Sequence, residues 1–218
     1  MVIVDSSEPV TLVGGADIGL DDLNIALSIA PRLVAADGGA DHLLAAELVP
    51  DAIFGDLDSI SEAAKTAFAP HLHRIEEQDS TDFAKVVRYV DAPLLLAVGF
   101  LGRRLDHTIA ALHVAATHPD KPIVFLGSDD AVFLLKDKEI QIDATIGTGI
   151  SVLPLMPSVV STTGLKWNLQ SARLSMSGLI SSSNEVAGST VKIAAEGTVA
   201  ITLPKDHLQT AIDAVLAR

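Results

Sequence analysis

Asp56 and Asp58 stand two residues apart in the segment Gly55-Asp56-Leu57-Asp58-Ser59. In an extended backbone, residues i and i+2 project to one face, so both carboxylates could grip a single hard cation. Mg2+ suits such a pair, because it commonly sits on one or two carboxylates plus substrate phosphates and water. The same residues also suit a turn in which Asp58 and Ser59 cap the following helix, and the pair alone does not separate the two readings. Gly55 in front of the pair would let a ligand approach the backbone with no side chain in the way.

More aspartates come directly after other apolar runs. They lie in Asp37-Gly38-Gly39-Ala40-Asp41, in Gln78-Asp79-Ser80-Thr81-Asp82, and in the stretch from Gly99 through Arg103, Arg104, Asp106 and His107. Gly38 and Gly39 could turn backbone N–H groups toward a phosphate, or form only a tight turn capped by Asp37. Asp79 and Asp82 would meet if the helix has begun by Asp79. Asp82 and Lys85 read equally well as a surface ion pair with a solvated lysine. Arg103, Arg104 and Asp106 could hold a polyphosphate or form a solvated loop. His107 has no second histidine at ligand spacing, and His71 and His73 read as surface residues. The chain contains no P-loop, no Gly-x-Gly-x-x-Gly turn, no His-Glu-x-x-His and no Gly-x-Ser-x-Gly. There remains an acidic, metal-seeking site without a nucleophile. Such a site suits phosphoryl transfer, where catalysis is mostly positioning and charge neutralisation.

These residues need strand ends to hold them, and the pattern supplies strands. Val10–Val13, Leu33–Ala36, Ala52–Phe54, Leu94–Val98 and Ile123–Leu126 are short, mostly apolar runs, and a further short strand is expected near Leu72–Ile75. Helical patterns near residues 23–30, 43–48, 59–68, 82–90 and 106–117 separate them, with Ser59 to Glu62 matching a capping box. The alternation predicts an α/β fold, a Rossmann-like parallel sheet with helices on both faces, whose ligands bind beyond the carboxyl ends of the strands. After about residue 132 the runs turn short and β-like, at Val132–Leu135, Glu139–Ile142, Ile150–Leu153, Ala172–Met176, Val191–Ala194 and Val199–Leu203, with glycine turns between them. These predict an antiparallel β-sandwich, closed by a helix from Asp206 to Leu216. Two domains are expected, residues 1–133 and 134–218.

The chain has 218 residues, 49% of them apolar, no cysteine and a net charge of −13. That balance argues against nucleic acid as a partner, since phosphate backbones recruit basic surfaces. No apolar run reaches membrane-spanning length and no secretory leader is evident, so no membrane partner and a cytoplasmic location are expected. An anionic substrate such as ATP would need cations to approach this chain.

Taken in order, Ala36-Asp37-Gly38-Gly39-Ala40, Gly55-Asp56-Leu57-Asp58-Ser59, Gln78 to Lys85, Arg104-Leu105-Asp106-His107-Thr108, Thr163-Gly164-Leu165-Lys166-Trp167 and Ser183-Asn184-Glu185 resemble the thiamine pyrophosphokinase family over roughly residues 10–203. The resemblance implies an α/β domain followed by a β-sandwich, and transfer of pyrophosphate from ATP to the thiamine hydroxyl with release of AMP. It implies Mg2+ on Asp56, Asp58 and Asp82, with Asp79 also catalytic and either Asp79 or Asp82 as the proton acceptor. It implies ATP contacts at Asp37, Gly38, Gly39, Arg104, Asp106 and His107, and thiamine contacts at Gln78, Trp167, Ser183 and Asn184. A homodimer with thiamine between subunits is implied as well. Phe100, Arg103, Asp41 and Asn168 depart from the residues usual at those places. A pyrophosphokinase for another alcohol, such as a pterin, or a non-catalytic thiamine or nucleotide sensor would share much of this pattern.

Overall fold

A computed structural model of the chain describes residues 2–217. Met1 and Arg218, the outer ends of the two expected domains, lie outside the described residues. The chain divides into two compact units, Met1–Ser128 and Asp129–Arg218. The division falls a few residues before the expected one, because the first strand of the second unit already begins at Asp130.

The first unit begins with β1 (Val4–Asp5) and β2 (Val10–Val13), then α1 (Leu20–Ile29), β3 (Arg32–Ala36), α2 (Gly39–Ala45) and β4 (Ala52–Gly55). It continues with α3 (Glu62–Ala67), β5 (Leu72–Arg74), α4 (Asp82–Tyr89), β6 (Val90–Asp91), β7 (Leu95–Val98), α5 (Leu105–Thr117) and β8 (Ile123–Leu126). Pairing is parallel throughout: β2 with β7, β7 with β8, β3 with β4, and β4 with β5. A bridge between Val10 and Pro31 brings β3 beside β2. Every residue of β2, β4, β7 and β8 is buried. Continuous apolar runs of this kind are what a parallel sheet covered by helices requires. The short parallel pairing of β1 with β6 forms a separate two-stranded sheet and has no signature in the apolar pattern.

The chain order runs from β2 outward to β5 and then returns to β7 on the other side of β2. Ligands of open α/β sheets sit at such a reversal, beyond the carboxyl ends of the strands. Glycine shapes that end of the sheet. A Cβ on Gly39 would lie 2.1 Å from the Val13 carbonyl oxygen, so only glycine lets α2 start this close to β2.

The second unit holds β9 (Asp130–Asp143), β10 (Gly149–Pro154), β11 (Ser158–Thr163), β12 (Ala172–Leu174), β13 (Ser181–Glu185), β14 (Thr190–Pro204) and α6 (Leu208–Leu216). All pairings among these strands are antiparallel. Four expected short strands prove to be two long ones, since Val132–Leu135 joins Glu139–Ile142 as β9 and Val191–Ala194 joins Val199–Leu203 as β14. The polar residues between the runs mark an irregularity in the ladder between Ala195 and Thr198, where Gly197 has φ +101° and its N–H donates to Asp137 Oδ1 at 2.7 Å. On one side of this irregularity β14 pairs with β11, on the other with β10, so the two arms of the sheet share one strand. Strands β11 and β13 are rich in serine and threonine and lie outside the expected strands. Leu208, Ala211, Ile212 and Val215 are buried at helical spacing, which explains why α6 packs on β9 and β14.

Candidate active site

Three carboxylates converge at the ends of β3 and β4. Asp37, Asp56 and Asp58 each place an oxygen within 4.8 Å of the others. Asp37 is 2% exposed and Asp58 is open to solvent, so the cluster runs from interior to surface. Asp82, the first residue of α4, lies on the same flank. A Cβ built on Gly55 would sit 2.8 Å from Asp37 Cβ and 3.2 Å from Asp82 Oδ1. Gly55 is therefore the gap around which these acids gather.

Hydrogen bonds fix the cluster. Asp37 Oδ2 accepts from the Ser59 N–H at 3.2 Å, and Asp56 Oδ1 accepts from the Asp58 N–H at 3.3 Å. Gln78 Nε2 donates to Asp56 Oδ2 at 2.8 Å, and Ser59 Oγ donates to Asp58 Oδ1 at 2.9 Å. Among the described residues, Asp37 Oδ1 is the buried side-chain oxygen or nitrogen without a hydrogen-bond partner. A buried, unpaired carboxylate oxygen is costly unless something positive completes it. Three convergent hard oxygen donors, one of them orphaned, fit a divalent ion such as Mg2+. This donor set includes Asp37, which the family resemblance assigns to ATP, while Asp82, beside it, is engaged through one oxygen in an ion pair.

That engagement is with Lys85. Its Nζ donates to Asp82 Oδ1 at 3.1 Å, and Lys85 is only 2% exposed. The reading of Lys85 as a solvated surface cation is wrong: α4 turns Lys85, Phe83, Val86 and Val87 inward. Asp79 also differs from expectation. The helix starts at Asp82 with Thr81 as its cap, so Asp79, which is exposed, does not share a helical face with half-buried Asp82. The cap of α3 is Ser61 rather than Ser59, because Asp41 holds the Ser61 hydroxyl and N–H and orients it. Asp41 thus has a structural partner of its own. Asp37 does not cap α2, whose cap position is Gly38 and which has no side-chain cap hydrogen bond.

Electrostatics track the burial gradient. Burial pushes the Asp37 carboxyl up to about 6; the Ser59 N–H opposes the rise, and the charges of Asp82, Asp56 and Asp58 add to it. Asp56 is lowered, chiefly by the hydrogen bond from Gln78. A carboxyl raised in the folded state holds more protons folded than unfolded between about pH 4 and 6, so its stabilising protonation is lost as pH rises through that window. Asp37→Asn removes the cost, and asparagine tolerates the left-handed backbone of residue 37, φ 39°. The metal-free variant is expected to be about 2 kcal/mol more stable than the parent at pH 8 and nearly equal to it at about pH 4. Thermal unfolding at the two pH values checks this, and equal stability at the higher pH would mean that Asp37 carries no such cost.

The loop after β7 reaches back toward β2. Arg103 Nη1 donates to the Gly15 carbonyl at 3.2 Å, while Arg104 makes a two-pronged pair with Asp106 at 3.2 and 2.6 Å. Arg104, Asp106 and His107 are all exposed. Phe100 leans on Phe83 with ring centroids 4.4 Å apart, so the departure at this position is absorbed by packing.

The second unit holds the other expected contacts. Trp167, the only tryptophan of the chain, is 57% exposed. Its backbone is locked by buried Asn184, whose Oδ1 accepts from the Trp167 N–H at 3.2 Å and whose Nδ2 donates to the Trp167 carbonyl at 2.8 Å. Asn184 therefore presents Trp167, a role that composition and spacing do not reveal. Ser183 is exposed, with φ 54°, and its N–H donates to Ser151 Oγ at 3.1 Å. Ser183, Asn184 and Glu185 line a cavity of about 380 Å³ together with Gly149, Ser151 and Asp130.

Comparison with known proteins finds a family model for a stretch of each unit. Residues 23–125 match the family model of the thiamin pyrophosphokinase catalytic domain, and residues 137–199 match that of the thiamin pyrophosphokinase vitamin B1 binding domain. Thiamine pyrophosphokinase 1 of Oryza sativa subsp. japonica is 34% identical over 204 residues, covering 78% of this chain and 77% of its own. Thiamine pyrophosphokinase 2 of Arabidopsis thaliana is 33% identical over 174 residues, covering 71% and 65%. The fold is similar to that of thiamin pyrophosphokinase from Candida albicans, with a TM-score of 0.80 at 21% identity and 92% of each chain covered.

Proposed function

The chain belongs to the thiamin pyrophosphokinase family, and on that premise we propose that it moves the pyrophosphoryl group of ATP to the hydroxyl of thiamine. The products are thiamine diphosphate and AMP. The observation that carries this reading is the convergence of Asp37, Asp56 and Asp58, with an unpaired Asp37 oxygen at its buried end, inside the part of the chain that matches the catalytic domain.

Asp37, Asp56 and Asp58 would hold Mg2+, with Asp82 beside them. Bound there, the ion would neutralise the triphosphate, which the chain's net charge of −13 would otherwise repel. Attack by the thiamine oxygen forms a bond to the β-phosphorus, and the bond from that phosphorus to the α-bridging oxygen breaks as AMP leaves. The hydroxyl proton passes to a carboxylate at this strand end, Asp82 or Asp79. Arg104 and Asp106 are assigned to the nucleotide, and Gln78, Trp167 and Ser183 to thiamine. Gln78 touches Asp56 as well, which suits a residue linking acceptor and metal.

The homodimer implied by the resemblance is part of the proposal. Exposed Met176, Leu179 and Ile180 in the second unit support it as apolar surface for another copy. No helix among the described residues is long and apolar enough to cross a membrane. The cytoplasmic assignment rests on the composition, including the lack of cysteine.

ATP labelled at the β-phosphorus tests the reaction. All transferred label should appear in thiamine diphosphate, with unlabelled AMP as the second product; label retained in ADP would mean transfer of the terminal phosphate alone. Trp167→Ala is expected to raise the KM for thiamine about tenfold or more with little change in that for ATP. Equal rises for both substrates would remove Trp167 from the acceptor site.

A further inference from the structure

Trp167 is an unusual tryptophan, because it is held rigidly and yet left open. Asn184 clamps its backbone on both sides, while more than half of the residue faces solvent. The open ring is not bare. Lys166 Nζ lies over it, 4.9 Å from the centroid. The same ammonium pairs with Glu185 Oε2 at 3.2 Å, and the Lys166 N–H donates to the Glu185 carbonyl at 2.8 Å. Glu185 also lines the cavity beside Ser183. An aromatic face and a carboxylate thus surround one positive charge supplied by the chain itself.

Both contacts of Lys166 are of the weak kind. Its side chain is half exposed, and exposed cation–π contacts and exposed ion pairs are each marginal in water. A diffusible cation with a flat, weakly hydrated ring can replace an ammonium on such a face, because the ammonium regains its hydration on leaving. The thiazolium of thiamine has that chemistry.

We infer that Trp167 and Glu185 form a cation subsite and that Lys166 is its resident occupant, displaced when the thiazolium of the acceptor enters. The inference rests on the thiamine reading given above. Lys166 then sets the affinity and charge selectivity of the site: it lowers affinity for thiamine by competing for the face, and it keeps the exposed tryptophan covered between turnovers.

The test uses the intrinsic fluorescence of Trp167, which reports on this site alone because the chain has no other tryptophan. Thiamine is titrated into nucleotide-free protein, its parent form compared with Lys166→Met and Lys166→Arg. The Met variant keeps the length of the side chain but not its charge. It should bind thiamine about fivefold more tightly, while the Arg variant stays within about twofold of the parent. Neutral 4-methyl-5-(2-hydroxyethyl)thiazole should bind the parent and the Met variant equally. Unchanged or weaker thiamine binding by Lys166→Met overturns the inference, as does an equal gain for the neutral alcohol. Product formation by the parent protein is read on the same preparation. Thiamine diphosphate formed without a gain in Lys166→Met overturns the exchange alone, whereas no thiamine diphosphate at all overturns the reading on which it rests.

Discussion

Asp56→Asn is expected to lower kcat on the order of a thousandfold while the protein remains folded. Asn keeps an oxygen to accept from the Asp58 N–H, and Asp56 is only partly buried, so little packing is lost. What disappears is charge. The Gln78 hydrogen bond holds the Asp56 carboxyl below its ordinary value, so it is ionised at neutral pH and stays so well into the acid range. Removing one ionised donor from the set formed with Asp37 and Asp58 would weaken the proposed grip on a metal ion and on the charge that develops as AMP leaves. Losing a single preorganised electrostatic contact in an active site commonly costs several kcal/mol of transition-state stabilisation. Release of AMP at the parental rate, with unchanged circular dichroism, would show that Asp56 does not carry the reaction.

Lys85→Met should act on stability and on metal dependence together. Lys85 is 2% exposed, and its ammonium pairs with Asp82. Breaking a buried pair by removing one partner typically costs about 3–5 kcal/mol, because a charge is left uncompensated. The Asp82 side chain is 35% exposed and can recruit water, which brings the expected cost to about 2 kcal/mol. For a chain of this size that is a fall in Tm of roughly 5 °C. Mg2+ should recover more stability in the variant than in the parent, since a second cation near the aspartates relieves repulsion that Lys85 otherwise offsets. Equal Mg2+-dependent shifts in Tm for the two proteins would mean that Lys85 does not support the acids.

The strand ends are legible because a buried parallel strand is a continuous apolar run, and the residues just past its carboxyl end must sit at the mouth of the sheet. That rule locates Asp37 and Asp56 from sequence alone. It cannot rank them. Asp37 joins the cluster of Asp56 and Asp58 because Gly55 has no Cβ to hold it off, a spatial fact with no local signature. The spacing of Asp82 and Lys85 is the same whether the helix face is wet or dry, so the burial of Lys85 emerges only once α4 is docked. One local signal does point that way, since Phe83, Val86 and Val87 flank the lysine on a short helix. Strands β11 and β13 escape pattern reading because serine and threonine dominate them. Here tertiary pairing overrides a polar composition that reads as turn.

If Asp37, Asp56 and Asp58 together hold a divalent ion for the polyphosphate, a crystal grown with Mn2+ and a non-hydrolysable ATP analogue should show it through the anomalous signal of manganese. A manganese peak is expected within coordination distance of all three carboxylates, Asp37 Oδ1 included. A peak bound by the phosphates but out of reach of Asp37, or none at these strand ends, would contradict it.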